Sequence, residues 1–205
     1  MSSSSLTSIE MEHLRDVVAL GFENAAEGLS TMVGREIKVV SPSLRMVRVE
    51  DVPGLIGRPD MEVVAIYLKV SGDIKGHIML ILSLEAADDL VTMLMGSKQE
   101  GASRLQEVER SALGEVANVT GSFFLGALAD RTNLLIQPSP PAVIVDMAGA
   151  ALDVPLAPLA MSMEDVLIID TWFIDNERRI KSLFLVFPDI DSLSLLLGRL
   201  EQKHG

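Results

Sequence analysis

Apolar positions repeat at helical spacing in two long stretches of the chain. The first carries Leu14, Val17, Val18, Gly21, Ala25, Leu29 and Met32; the second carries Leu105, Val108, Ala112, Val116, Ala117, Phe124 and Leu128. Recurrence at i, i+3, i+4 and i+7 predicts one amphipathic helix for each. Thr7 with Glu10, and Ser103 with Gln106, have capping-box spacing ahead of these stretches. Gly34 and Asn133 stand where the helices should stop, and both residue types accept a left-handed backbone. After each helix the pattern shortens to strand length. Glu36–Val40 and Leu134–Gln137 read as strands ended by Pro42 and by the run Pro138, Pro140 and Pro141. Short helical or irregular segments are predicted around Val49–Ile56 and Asp146–Leu152. Two hairpins follow, Val63–Val70 with His77–Leu82 about Ser71-Gly72-Asp73, and Val166–Ile174 with Ser182–Phe187 about Asp175-Asn176. A helix closes each series, Leu84–Met95 and Ser192–Leu200.

The order helix, strand, hairpin, helix therefore occurs twice, about 6–97 and about 103–205, with Gly96–Ser103 as the linker. The expected fold is α+β: two repeats related by a pseudo-two-fold, with long helices packed on one shared, mostly antiparallel sheet. Over the helices the offset is 99 residues, so Leu14 matches Leu113, Leu29 matches Leu128 and Pro42 matches Pro141. Farther along, Tyr67 matches Trp172, Leu90 matches Leu195 and Met95 matches Leu200 at offset 105. The change implies six extra residues within about 150–164.

The long helices also carry a shared polar pattern. The second has Ser111-x3-Glu115-x2-Asn118, with Pro141 after 22 intervening residues. The first has Glu12-x3-Asp16-x2-Ala19, with Pro42 at the same distance. Positions i, i+4 and i+7 share one helix face. On the second helix the stripe extends from Glu107 to Ser122. A solvated face is the simplest reading of such a stripe. Asn118 argues for more, because asparagine gains nothing in the middle of an exposed helix, and Gly121 and Ser122 beside it would let a partner's backbone approach.

Composition narrows the chemistry. There is no cysteine, and the three histidines, His13, His77 and His204, are widely spaced. A thiol nucleophile and a disulfide framework are excluded, and a zinc site is not expected. The net charge of −12 disfavours nucleic acid and anionic membranes as partners. No apolar run approaches membrane-spanning length, and the N-terminus lacks the pattern of a signal peptide. A cytoplasmic protein with no membrane insertion is expected. A carboxylate can pair with a partner's lysine, and an amide can hold a water. Both tasks suit phosphoryl transfer, where positioning supplies most of the catalysis.

The pattern Asp/Ser-x3-Glu-x2-Asn-x22-Pro resembles that of the CheC/CheX/FliY phosphatases of bacterial and archaeal chemotaxis. Gly21-x2-Asn24-Ala25-Ala26 with Leu29-Ser30, Ala127-Leu128-Ala129 and Val143–Ala150 add to the resemblance, which spans nearly the whole chain. Two tandem units match the CheC branch, since CheX has one unit and FliY has extra domains. The resemblance implies hydrolysis of the aspartyl phosphate of phosphorylated CheY. Glu115 would pair with the active-site lysine of CheY, and Asn118 would position the attacking water. Ser111 would support contact, and Pro141 would set the chain direction. Mg²⁺ would be supplied by CheY, with no metal or cofactor held by this chain. Glu12, Asp16, Ala19 and Pro42 would form a degenerate first site, because the carboxylate is one methylene short and the amide is missing. The family also implies binding of the receptor deamidase CheD, for which Asp146-Met147-Ala148-Gly149-Ala150 is the candidate dock. A non-catalytic adaptor for CheD or CheY is the alternative function.

Overall fold

The computed structural model describes residues 6–58, 60–96, 105–152, 165–175 and 178–202. Two helices of 26 residues dominate it, α1 (Ser8–Val33) and α4 (Glu107–Thr132), and both of their ends lie 99 residues apart. The start of α1 is capped as its sequence predicts: the Glu10 N–H donates to Thr7 Oγ1 (3.2 Å) and the Thr7 N–H to Glu10 Oε2 (2.6 Å). α4 begins three residues later than its expected cap. Gln106 takes the cap position, and its N–H donates to Glu109 Oε2 at 2.7 Å. Ser103 lies outside the described residues, as do the predicted linker from 97 to 103 and residues 153–164, most of the stretch 150–164 where the six extra residues were expected. Gly34 (φ 72°) and Asn133 (φ 57°) end the two helices in the left-handed conformation, which satisfies the last carbonyls at little steric cost to these residue types.

Among the described residues, seven antiparallel strands form one sheet: β1 (Lys38–Arg48), β2 (Glu62–Gly72), β3 (Gly76–Ser83), β4 (Ile136–Pro138), β5 (Ala142–Met147), β6 (Asp165–Ile174) and β7 (Arg179–Pro188). Their order is β1-β6-β7-β3-β2-β4, with β5 also on β2. The hairpins β2–β3 and β6–β7 meet through β3 and β7. Each half's first strand crosses over: β1 pairs with β6, while β4 and β5 pair with β2. The halves thus share one sheet by exchanging strands.

Pro42 does not end the first strand. β1 runs on to Arg48, and its register on β6 slips between Val40 and Ser43. An edge strand tolerates proline at such a bulge because no ladder hydrogen bond is lost there. The corresponding stretch of the second half, 139–141, is a complete break that separates β4 from β5. Beyond the bulge, the Ser43 hydroxyl and the Arg45 guanidinium both donate to Asp170 on β6.

The sheet has two apolar faces. α1, α4, α3 (Leu84–Met95) and α6 (Ile190–Gln202) cover one, over Val64, Ile66, Leu68, Leu80, Ile169 and Phe184. α2 (Val52–Ile56) and a helical segment at 148–152 (α5) supply Val52, Ala148, Ala151 and Leu152 to the other, over Val63, Met79, Ile168 and Leu185. Phe22 and Phe124 meet Phe184 edge-on, with ring centroids 5.5 and 5.4 Å apart, and so anchor both long helices to β7. Leu90 and Leu195, matched in the sequence, differ in burial: Leu90 is buried and Leu195 is 39% exposed, whereas at the same offset Val91 and Leu196 are both buried. α4 has the length and composition of a membrane span, but over half of that stretch is buried inside the fold.

Candidate functional site

Helical geometry determines what α4 presents. Leu113, Val116, Ala117, Thr120 and Phe124 point inward, which turns the remaining stripe outward. Glu107, Ser111 and Glu115 are exposed, and Asn118 and Ser122 are half-buried. Glu115 and Asn118 are three residues apart, so they lie on adjacent turns of one face. Among the described residues, no hydrogen bond or ion pair engages the side chains of Ser111, Glu115 or Asn118. The carboxylate and the amide are therefore available to a second molecule.

Pro141 lies near Gly114 of α4, one residue before Glu115. A Cβ built on Gly114 would lie 3.5 Å from Pro141 Cγ and 3.5 Å from Val143 Cγ2. These are ordinary van der Waals distances, so an alanine methyl would fit between the helix and the proline ring. Sequence reasoning passed over Gly114, a buried glycine one residue before Glu115.

The first half differs at that point. Arg15 stands at the place equivalent to Gly114. Glu12, Asp16 and Ala19 are exposed on α1. A cleft of about 870 Å³ opens between α1 and β1, with Arg15, Asp16, Ala19, Lys38 and Ser41 along it. The motif positions share a face here too, but the side chains that would act differ.

Asp146 was expected to open a short helical or irregular segment. It belongs instead to β5, opposite Val63, and the helix starts only after Met147. The Ala148 N–H donates to the Met61 carbonyl at 2.8 Å, which fixes the turn from strand to helix. Asp146 is exposed, and Met147 beside it is 53% exposed. Among the described residues, no group of three His, Asp or Glu side chains has the proximity needed to hold a metal ion.

Comparison with known proteins gives a consistent picture. The sequence profile of the CheC-like family matches residues 108–145, the stretch from the motif helix through Pro141 to β5. The CheY-P phosphatase CheC of Bacillus subtilis (strain 168) is 29% identical over 191 residues, covering 91% of each chain. The putative CheY-P phosphatase CheC1 of Halobacterium salinarum is 24% identical over 199 residues, covering 94% of this chain and 98% of that one. The crystal structure of Thermotoga maritima FliY has the same fold, with a TM-score of 0.78 and 21% identity over 97% of this chain and 98% of that one.

Proposed function

We propose that this chain, a member of the CheC-like family, hydrolyses the aspartyl phosphate of a phosphorylated CheY-type response regulator through one site on α4. The observation that carries the reading is the free Glu115 carboxylate and Asn118 amide on one helix face, with Pro141 near Gly114, one residue before Glu115. Glu115 pairs with the regulator's active-site lysine and sets the docking register. Asn118 enters beside the phosphoryl group and orients the water that attacks phosphorus in line with the departing aspartate oxygen. The chain forms no covalent intermediate and supplies no nucleophile of its own. Its contribution is position and preorganised hydrogen bonding. Mg²⁺ belongs to the regulator and neutralises the phosphoryl oxygens there. Ser111 contacts the partner one turn earlier, and Pro141 keeps the chain after β4 clear of the entry path. The reaction takes place in the cytoplasm. Asp16 and Ala19 leave α1 without the water-orienting amide, so the first half contributes scaffold.

Phosphate release from the organism's own phosphorylated CheY tests this reading. Glu115→Ala should act mainly by weakening binding. Combining it with Asn118→Ala should be little worse than the more damaging single change, because the two groups act as a unit. Unchanged rates in both single variants would remove the site from α4. A second reading, an adaptor with little activity, is favoured by exposed Met147 beside exposed Asp146 at the end of β5. Capture of CheD by a chain that hydrolyses nothing would favour that alternative.

A further inference from the structure

An apolar groove of about 640 Å³ runs alongside the motif. Its walls come from three helices: the last turn of α1 with Met32, the last turn of α3 with Met95, and the first turns of α4 with Val108, Ser111 and Glu115. Met32 is 44% exposed, Met95 43% and Val108 62%. Three large apolar side chains so exposed in one place mark an interaction surface more often than chance exposure. Methionine is suited to that use, because its unbranched chain adapts to the partner's shape.

We propose that this groove seats the apolar centre of the phosphorylated regulator's docking face. The groove holds the partner while Glu115 and Asn118 engage its active site. Naming the regulator as occupant rests on the phosphatase reading above. Three observations favour this occupant. The groove is continuous with the motif, since Ser111 and Glu115 line both. Its rim carries the carboxylates of Glu107 and Glu115, which complement a partner surface whose apolar centre is flanked by lysine. The groove also accompanies the intact motif. Ninety-nine residues away, beside the degenerate motif, Arg131 replaces Met32 and Glu12 replaces Ser111, so charge stands where the groove has apolar and neutral surface. The degenerate site thus lacks both the amide and the matching surface.

The test is Met32→Gln with Met95→Gln in one chain. Both side chains are too exposed for the change to unfold the protein. The KM for phosphorylated CheY should rise about 10-fold at unchanged kcat, the signature of lost uniform binding. The Kd for CheY loaded with Mg²⁺ and beryllofluoride should rise by the same factor. Ile9→Ser, the counterpart of Val108 on α1 and 59% exposed, should change neither. Active wild-type protein whose KM and Kd ignore the double substitution overturns the groove and leaves the phosphatase reading intact. Inactive wild-type protein whose Kd depends on both methionines overturns the phosphatase reading and keeps the groove.

Discussion

Gly21→Ala should destabilise the protein, although alanine is the better helix former. Gly21 sits in the middle of α1 where it crosses α4. A Cβ there would lie 2.7 Å from the Cα of Phe124 and 3.2 Å from the carbonyl oxygen of Phe123. Both are backbone atoms, so no side chain can swing aside. Carbon atoms pack at about 3.5–4.0 Å, so the helices must part by roughly 1 Å. Parting them also disturbs the edge-on contacts that Phe22 and Phe124 make with Phe184. Overpacking of this kind costs about 1–3 kcal/mol, and the propensity gain returns up to about 1 kcal/mol. The expected net loss is about 1–2 kcal/mol. For a chain of this length that lowers Tm by roughly 2–8 °C. Gly126→Ala on α4 is the internal control. A Cβ there meets nothing within 4 Å, so the same substitution should stabilise by up to about 1 kcal/mol. Urea unfolding of the two variants at a common m-value is the assay. A Gly21→Ala protein as stable as wild type would mean that α1 and α4 do not meet through this glycine.

Two further perturbations probe other parts of the account. Asp16→Ala should leave phosphate release nearly unchanged, since Ala19 already leaves that half without its amide; a large drop, with the circular dichroism of the fold intact, would show that the first half works. Asp170→Asn tests the staple beyond the bulge. Burial pushes the Asp170 carboxyl up, but hydrogen bonds from Ser43 and Arg45 and the charges of Arg45 and Lys181 outweigh it, leaving the group below the ordinary carboxylate range. A depressed folded-state pKa gives stability that is full above the unfolded value of about 3.9 and is lost as pH falls through the folded one. The stability gap between wild type and Asp170→Asn, read by urea midpoints, should therefore be widest near neutral pH and close below about pH 4. A gap independent of pH would show that the staple carries no ionic contribution.

What the sequence revealed depended on how local the cause was. Thr7 with Glu10, Gly34 and Asn133 act on backbone within a turn of themselves, and they cap their helices as read. The start of α4 was misplaced because Gln106 is a weak cap by type; it works through Glu109, three residues on. Pro42 was read as a stop, but whether proline stops a strand depends on whether its neighbour needs a donor there. That neighbour, β6, belongs to the other half. The exchange of first strands is a long-range choice that no residue in β1 announces. Leu195 was paired with Leu90 from apolar identity alone, and burial does not follow identity there: Leu90 is buried and Leu195 is 39% exposed. At the candidate site, the shared face of Ser111, Glu115 and Asn118 follows from helical spacing and is present. The position of Pro141 near Gly114, and the meeting of Met32 and Met95 beside Ser111, join segments far apart in sequence and needed the tertiary structure.

Phosphate release from phosphorylated CheY of the same organism, with and without this protein and with Asn118→Ala, is the sharpest test of the proposal that α4 carries a working phosphatase site. Wild-type protein should accelerate release well beyond the regulator's own rate. Asn118→Ala should lose about 10²-fold of that stimulation, the scale of removing one preorganised donor, while still binding the beryllofluoride-loaded regulator. Stimulation by Asn118→Ala equal to that by wild type would contradict the claim.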